Sequence, residues 1–136
     1  MTVEELLQLP TIKGLKLISG NLGVHREIST VTVVDTPDGF QWLKGNEVVI
    51  TTTYALEKTP NSFLDFISKL LSRNISALIV KSDRYIKVIP ENAKKLCDEK
   101  ALPLIYCPAI YAFADIINPT LSGIISKQAE QLKESS

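Results

Sequence analysis

The residues that could do chemistry stand at the ends of predicted strands: the acid Asp35, the threonines Thr51, Thr52 and Thr53, and the base Lys81. Hydroxyl groups, one carboxylate and one amine can together hold a small polar molecule by hydrogen bonds and charge. In open parallel sheets, ligands bind outside the carboxyl ends of the strands, especially where the strand order reverses. We therefore predict a small-molecule site at these five residues.

Each of these residues also has an explanation that involves no ligand. Threonine is a good strand residue, so three threonines in a row also follow from β-propensity alone. A lysine at the end of a strand is usually solvated. Residue types therefore leave both interpretations open for residues 51–53 and for Lys81.

The chain lacks the motifs of the common catalytic and nucleotide sites. Neither G-x-x-x-x-G-K-[ST] nor G-x-G-x-x-G occurs, which excludes P-loop and Rossmann dinucleotide sites. His25 is the only histidine; it lies in a predicted turn, and no G-x-S-x-G motif is present to partner it. The acids Asp35, Asp38 and Glu47 are dispersed and indicate neither a glycosidase nor a metal site. We predict no enzymatic activity, no cofactor and no metal, with an unrecognised hydrolase or transferase as the less favoured alternative.

Length and composition indicate one globular domain. The 136 residues are 45% hydrophobic and 22% charged, and the formal net charge is +0, whereas a nucleic-acid binder normally carries a basic excess. No apolar run approaches the roughly 18 residues of a membrane span, and the acidic N-terminus is unlike a signal peptide. Cys97 and Cys107 have no nearby histidine and are predicted to be free thiols. We predict a cytoplasmic protein without membrane contact.

Sequence patterns predict the order of the elements. Thr2 and Glu5 have the spacing of a capping box, which predicts a short N-terminal helix before Pro10. Thr59-Pro60 is a predicted helix start, and the apolar residues from Phe63 to Leu71 recur at helical spacing. Pro90 is predicted to open another helix that runs to about residue 101. Strands or extended segments are predicted at 15–19, 28–35, 48–53, 76–80 and 102–107.

Alternation of strands and helices sets the fold class. Strand, helix, strand, helix, strand implies two consecutive crossovers, which are right-handed and parallel in nearly all proteins. Pro103 favours an edge strand or the first position of a strand. We predict an α/β fold, a single three-layer domain with a largely parallel sheet of about four to five strands, a short N-terminal helix and a C-terminal exit helix.

The C-terminal segment from Asp115 to about Leu132 is predicted to be that exit helix, with Pro119 near its first turn. Apolar and amide side chains recur there at alternating spacings of four and three residues, at Ile117, Leu121, Ile124, Gln128 and Gln131. This spacing suits a seam between two helices. We predict that residues 1–126 form the domain, that residues 127–136 form the end of the exit helix or a linker, and that the chain is a homo-oligomer through this helix.

The aromatic loop Phe40-Gln41-Trp42 follows the second predicted strand. The size of the indole and its position beside Leu43 predict a buried Trp42. An exposed Trp42 would instead favour a structural dimerisation module in which the loop covers a partner.

Five stretches of the chain carry a family resemblance when they are taken in order, namely residues 15–23, 31–38, 42–52, 75–81 and 102–105. In this order they resemble the N-terminal domain family of purine catabolism regulators, the PucR-like transcriptional regulators. The resemblance spans roughly residues 6–125. The residues that match the motifs of the family are Gly20, Asp35, Trp42, Gly45, Glu47, Thr51, Thr52 and Lys81.

The resemblance implies a non-catalytic regulatory or sensor domain in a regulator of catabolic genes. In that family such a domain precedes a middle domain and a C-terminal helix-turn-helix that touches DNA. It implies recognition of a small metabolite effector or of a partner subunit. No helix-turn-helix follows Leu132, so any DNA contact is expected only through a downstream domain that is absent here.

Overall fold

The computed structural model describes residues 1–36, 38–52, 62–83 and 89–135. Its helices are α1 (Val3–Leu7), α2 (Ser62–Ser72), α3 (Glu91–Glu99) and α4 (Phe113–Ser135). Its strands are β1 (Lys16–Ser19), β2 (Thr30–Val33), β3 (Glu47–Thr52), β4 (Ala77–Ser82) and β5 (Leu104–Pro108). Three short 3-10 helices lie at Pro10–Ile12, Asn21–Gly23 and Gly39–Trp42. The predicted helix start at Thr59-Pro60 lies outside the described residues.

The five strands form one sheet in the order β1-β5-β4-β3-β2. β2, β3, β4 and β5 are parallel, whereas β1 pairs with β5 in the antiparallel direction. The α/β fold with a largely parallel sheet is therefore confirmed. The four parallel strands follow one another in chain order, so the strand order does not reverse between them. Pro103 immediately precedes β5 and so lies just outside the strand. Because β5 lies inside the sheet, the edge interpretation of Pro103 is wrong.

Helices cover both faces of the sheet. α2 and α3 pack on one face, where buried side chains such as Phe66 and Leu70 contact Leu78. α1 and α4 pack on the other face, where Leu6 and Ile116 are buried in a second apolar cluster. The central strands are buried on both sides, which explains their nearly continuous runs of valine, isoleucine and leucine.

The predicted N-terminal helix is confirmed together with its cap. The Thr2 hydroxyl accepts a hydrogen bond from the Glu5 N–H at 3.2 Å, and the Glu5 carboxylate accepts one from the Thr2 N–H at 3.0 Å. The Val3 N–H donates to the Arg26 carbonyl, so α1 lies beside the residues that lead into β2. α1 therefore lies at the end of the sheet where the parallel strands begin, which we call the amino edge.

The exit helix begins two residues earlier than predicted, and Pro119 lies in its interior rather than in its first turn. The cause is the Asp115 carboxylate, which accepts a hydrogen bond from the Ala112 N–H at 2.8 Å. Asp115 thus caps the first turn from inside the helix instead of opening it. Because proline has no N–H, the Asp115 carbonyl has no helical donor at Pro119.

The predicted seam of the exit helix faces the domain for half of its length. Ile124 is buried and Leu121 is half-buried against the sheet, whereas every residue from 125 to 134 is exposed. The large apolar side chains that the described part of α4 presents to solvent are Ile125, 63% exposed, and Leu132, 73% exposed. The series Ile117, Leu121 and Ile124 is therefore core, so it cannot form the predicted seam with a second helix. The division between residues 126 and 127 stays a prediction.

Both thiols are buried, and we expect them to be unreactive in the folded protein. Loss of solvation raises the pKa of Cys97 to about 12 and that of Cys107 to about 11. The thiolate is the reacting form, so a disulfide reagent at pH 8 should modify neither cysteine until denaturant is added. Stoichiometric labelling of the native chain within minutes would contradict this burial.

Among the described residues, no helix is both long enough and apolar enough to cross a membrane.

Candidate functional site

The carboxyl ends of β2, β3 and β4 lie side by side, and they bring Asp35 and Thr52 into direct contact. Asp35 Oδ1 accepts hydrogen bonds from the Thr52 N–H at 3.1 Å and from the Thr52 hydroxyl at 2.6 Å. Lys81 stands opposite Thr52 in the β3–β4 register. Parallel strands end at one edge, so the predicted acid, one predicted threonine and the predicted base share one rim of the sheet.

Lys81 occupies the side of the sheet that α4 covers. Its ammonium lies 5.4 Å from the centre of the Phe113 ring, close enough for a cation–π contact. Lys81 is half-buried rather than fully solvated. Sequence reasoning did not include Phe113, because the contact arises only when the first turn of α4 packs beside β4 and β5.

Thr51 is placed differently from Thr52. Successive side chains of a strand point to opposite faces, so Thr51 points toward the layer of α2 and α3. It is 1% exposed, and its hydroxyl donates to the Thr52 carbonyl at 3.3 Å. The structure thus brings Asp35, Thr52 and Lys81 to the rim. The Thr51 side chain lies on the opposite face of the sheet. Thr53 lies outside the described residues.

The rim has opposite charges on its two sides. Neighbouring strands are about 4.8 Å apart, so the backbones of β2 and β4 are separated by about 10 Å. Asp35 is exposed at the β2 side and Lys81 stands at the β4 side, with the Thr52 hydroxyl between them. Such an arrangement can hold a small molecule that offers a hydrogen-bond donor at one end and an acceptor or anionic group at the other.

A groove of about 570 Å³ runs along β2 next to this rim. Its walls are β2 with the three residues that follow it, and the segment 39–47, including Val33, Asp35, Trp42 and Lys44. Of the five residues predicted to bind a ligand, Asp35 alone lines it. No sequence pattern predicted the groove, because it depends on where the aromatic loop packs beside the edge strand.

Trp42 lines this groove and is 81% exposed, so the prediction of a buried indole is wrong. The loop is a 3-10 helix with three residues per turn, so Phe40 and Leu43 share one side of it. Both pack against the core on the α2 side. Trp42 consequently points outward, although Leu43 beside it is buried.

Glu47 and the histidine take no part in the rim. Glu47 is buried, and its carboxylate accepts hydrogen bonds from the Lys44 N–H at 2.6 Å and the Gly45 N–H at 2.8 Å. His25 lies in a turn and is exposed, as predicted. In the described part of the chain, no group of three or more histidine, cysteine or acidic residues could hold a metal ion.

Comparison with known proteins gives the family. The sequence model described as the Purine catabolism regulatory protein-like family matches residues 5–124. The chain belongs to this family. The matched range includes the whole rim and the groove, and it ends at the last buried residue of α4, Ile124.

A curated relative agrees with this assignment. The chain is 31% identical over 134 residues to the Purine catabolism regulatory protein of Bacillus subtilis (strain 168). The alignment covers 98% of this chain and 25% of the relative, so the chain spans about a quarter of the length of that protein. No solved structure matches the chain.

Proposed function

We propose that this chain is a non-catalytic regulatory domain of a cytoplasmic transcriptional regulator of purine-type catabolic genes, and that it binds a small metabolite effector at the sheet rim. Membership of the family and the name of the Bacillus subtilis relative support the regulatory role. Contact with DNA would come from another domain of the regulator. The effector would be a purine or a product of purine breakdown.

The observation that carries the sensing proposal is the shared placement of Asp35, Thr52 and Lys81. One carboxylate oxygen of Asp35 already holds Thr52, so the rim is fixed before any ligand arrives, and little ordering cost remains for binding. Asp35 would accept hydrogen bonds from the ligand, and Lys81 would bind its acceptor or anionic end. In this proposal Thr51 supports the rim from the opposite face of β3, and Thr53 stays a predicted ligand-binding residue.

Thermal unfolding in the presence of purines and their breakdown products tests the proposal. A ligand that binds only the native state stabilises it by about 2.7 kcal/mol at one hundred times its Kd. We therefore expect at least one compound to raise the Tm by several degrees. Asp35→Ala and Thr52→Ala should each abolish this rise.

Ser122→Ala is a suitable control, because Ser122 is exposed on α4, away from the rim. It should keep the full ligand-dependent rise in Tm. If no compound in the panel changes the Tm, or if the Asp35 and Thr52 variants respond as the wild type does, the sensing proposal fails.

Self-association is the second candidate function, and the exposed side chains favour it. Ile125 and Leu132 are seven residues apart on the exposed half of α4, with Gln128 between them, which is the spacing of a coiled-coil seam. A homo-oligomer through the C-terminal helix would use this stripe. Sedimentation of Ile125→Lys tests it, because a buried lysine would dissociate the seam.

A further inference from the structure

One edge of the sheet is open. β2 ends the strand order, and no strand in the described part of the chain pairs with its outer side. The Val34 N–H donates to the Ile50 carbonyl in β3 at 2.9 Å. Because backbone direction alternates along a strand, the N–H and C=O groups of Val31 and Val33 point to the open side. These groups form a ready template for another strand.

The two edges of the sheet differ in how they are protected. Edge strands of soluble proteins are normally blunted by charges, prolines or bulges. β1 has Lys16 and an irregular register between Leu17 and Ser19. β2 reads Thr-Val-Thr-Val, with no charge, no proline and a regular register. The β1 edge thus has features that disfavour pairing with another strand, whereas the β2 edge has none of them.

Apolar surface flanks the open edge. Val33 is 37% exposed and Trp42 is 81% exposed, and both line the groove beside β2. Tryptophan is among the residues that contribute most when an interface buries them. A partner strand along β2 would lie next to both side chains.

We propose that a second copy of this chain pairs with β2 in the antiparallel direction, across a twofold axis at Thr32, so that two five-stranded sheets join into one. In this register Val31 of each copy lies opposite Val33 of the other, and their outward N–H and C=O groups exchange hydrogen bonds. The surface is self-complementary, as a twofold interface requires.

The charges along the groove fit this antiparallel pairing. The carboxyl end of β2 carries the acid Asp35, whereas the base Lys44 lies beside the amino end, and both line the groove. The exposed acid Glu27 also precedes β2, where it pairs with the amino terminus of the chain at 3.3 Å. Glu47 is also at the amino end, but two backbone N–H groups already hold its carboxylate. The antiparallel register therefore brings the acidic end of each copy to the basic end of the other.

The antiparallel register also gives Asp35 a defined neighbour in the other copy. Asp35 of the second copy lies opposite Ser29, whose hydroxyl donates to the Gly45 carbonyl beside Lys44. A parallel arrangement would instead place Asp35 next to Asp35. Charge complementarity thus selects a second copy in the antiparallel direction.

This interface shares Asp35 with the sensing rim, so its tests use no Asp35 variant, and it is separate from the exposed stripe of α4. Lys127 pairs with Glu5 of α1 at 3.2 Å, so α4 leaves the domain at its amino edge. Antiparallel pairing of β2 puts the two amino edges at opposite ends of the dimer. The two exit helices then point away from each other and cannot form one seam.

Sedimentation velocity over a concentration series is the first test. Val33→Pro removes an outward N–H but no bond to β3, and proline is tolerated on edge strands. We expect this variant to raise the dimer dissociation constant at least tenfold, while Val33→Thr leaves it within twofold. Lys44→Glu should also raise it. Thermal unfolding verifies that each variant folds.

Cross-linking tests the register. Opposite residues of a pair that is not hydrogen-bonded have Cα atoms about 4.5 Å apart, within reach of a disulfide. Mild oxidation of Thr32→Cys should therefore give a covalent dimer. Thr30→Cys is the matched control, because two copies of residue 30 would lie about 13 Å apart. The native thiols are buried and do not interfere.

Three results would overturn the proposal. The wild-type chain could sediment as a monomer at every concentration up to about 0.5 mM. The dimer dissociation constant would then exceed that concentration, which is too weak for a specific dimer. Thr30→Cys could cross-link as readily as Thr32→Cys. The dimer could survive Val33→Pro and dissociate with Ile125→Lys, which would place the interface on α4. None of these results affects the ligand-dependent Tm that tests the rim.

Discussion

Replacing Gly20 by alanine should lower the free energy of unfolding by about 2–5 kcal/mol. Gly20 has φ +75°, and a Cβ at this position would lie 1.9 Å from the Leu102 carbonyl oxygen. A left-handed conformation costs an alanine about 1–2 kcal/mol, and forced overlap in a packed site costs about 1–3 kcal/mol more. The Gly20 N–H also donates to Asp98 at 2.7 Å, so the backbone there is fixed between β1 and α3. Denaturant unfolding measures the loss.

Substitutions at two other glycines separate the cost of the left-handed backbone from the cost of steric overlap. Gly23 does not have a positive φ, but a Cβ there would lie 1.8 Å from the Ala101 carbonyl oxygen. Gly23→Ala should cost about 1–3 kcal/mol from overlap alone. Gly45 has φ +118° and a nearest neighbour at 3.8 Å, so Gly45→Ala should cost about 1–2 kcal/mol from strain alone. A Gly20→Ala protein as stable as the wild type would refute the packing of β1 against the α3–β5 turn.

Replacing Arg26 by alanine should lower the free energy of unfolding by about 2–4 kcal/mol. The guanidinium donates to the carbonyls of Ala101 at 3.0 Å, Ile75 at 3.2 Å and Lys100 at 3.0 Å. Hydrogen bonds from charged donors contribute about 1.5–3 kcal/mol each when buried, and less where water replaces them. Arg26 therefore joins the segments that lead into β2, β4 and β5 at the amino edge.

Conservative and neighbouring changes sharpen this prediction. Arg26→Lys should recover less than half of the lost stability, because an ammonium cannot match the planar fork that reaches three carbonyls. His25→Ala alters an exposed residue next to Arg26 and should change stability by less than about 0.5 kcal/mol. Equal effects of Arg26→Ala and His25→Ala in denaturant unfolding would contradict the structural role of the guanidinium.

The elements that follow from local rules could be predicted from the sequence. The capping box of Thr2 and Glu5, the helical stripe containing Phe63 and Phe66, and the apolar strands depend on spacing within a few residues. Parallel direction followed from the crossover rule. These signals were enough to predict the layers and to bring Asp35, Thr52 and Lys81 to one edge.

The features that depend on distant contacts could not be predicted in the same way. Trp42 is exposed because Phe40 and Leu43 take the core side of a 3-10 turn, which the apolar character of the indole does not reveal. Pro119 entered the interior of α4 because Asp115 caps the turn before it. Arg26 has no motif around it, since its three carbonyl partners lie 49 to 75 residues away in the chain.

The rim was predicted only in part for the same reason. Alternation along β3 separates Thr51 from Thr52, so a run of three threonines cannot present all its hydroxyls to one side. The contact of Lys81 with Phe113 joins residues from two elements that no sequence pattern relates. The position of a residue at the end of a strand predicts which edge of the sheet it reaches. The face of the sheet on which its side chain lies depends on the register of the strand.

A titration followed by amide nuclear magnetic resonance tests the central claim most directly. The probe is the purine or breakdown product that raises the Tm most, added to the uniformly labelled chain. Saturable shifts should concentrate at the amides of Thr52 and Lys81 and at residues beside Asp35, and should disappear in Asp35→Ala. Saturable shifts confined to another surface, such as the cleft between Thr11 and Asn118, would show that the rim is not the effector site.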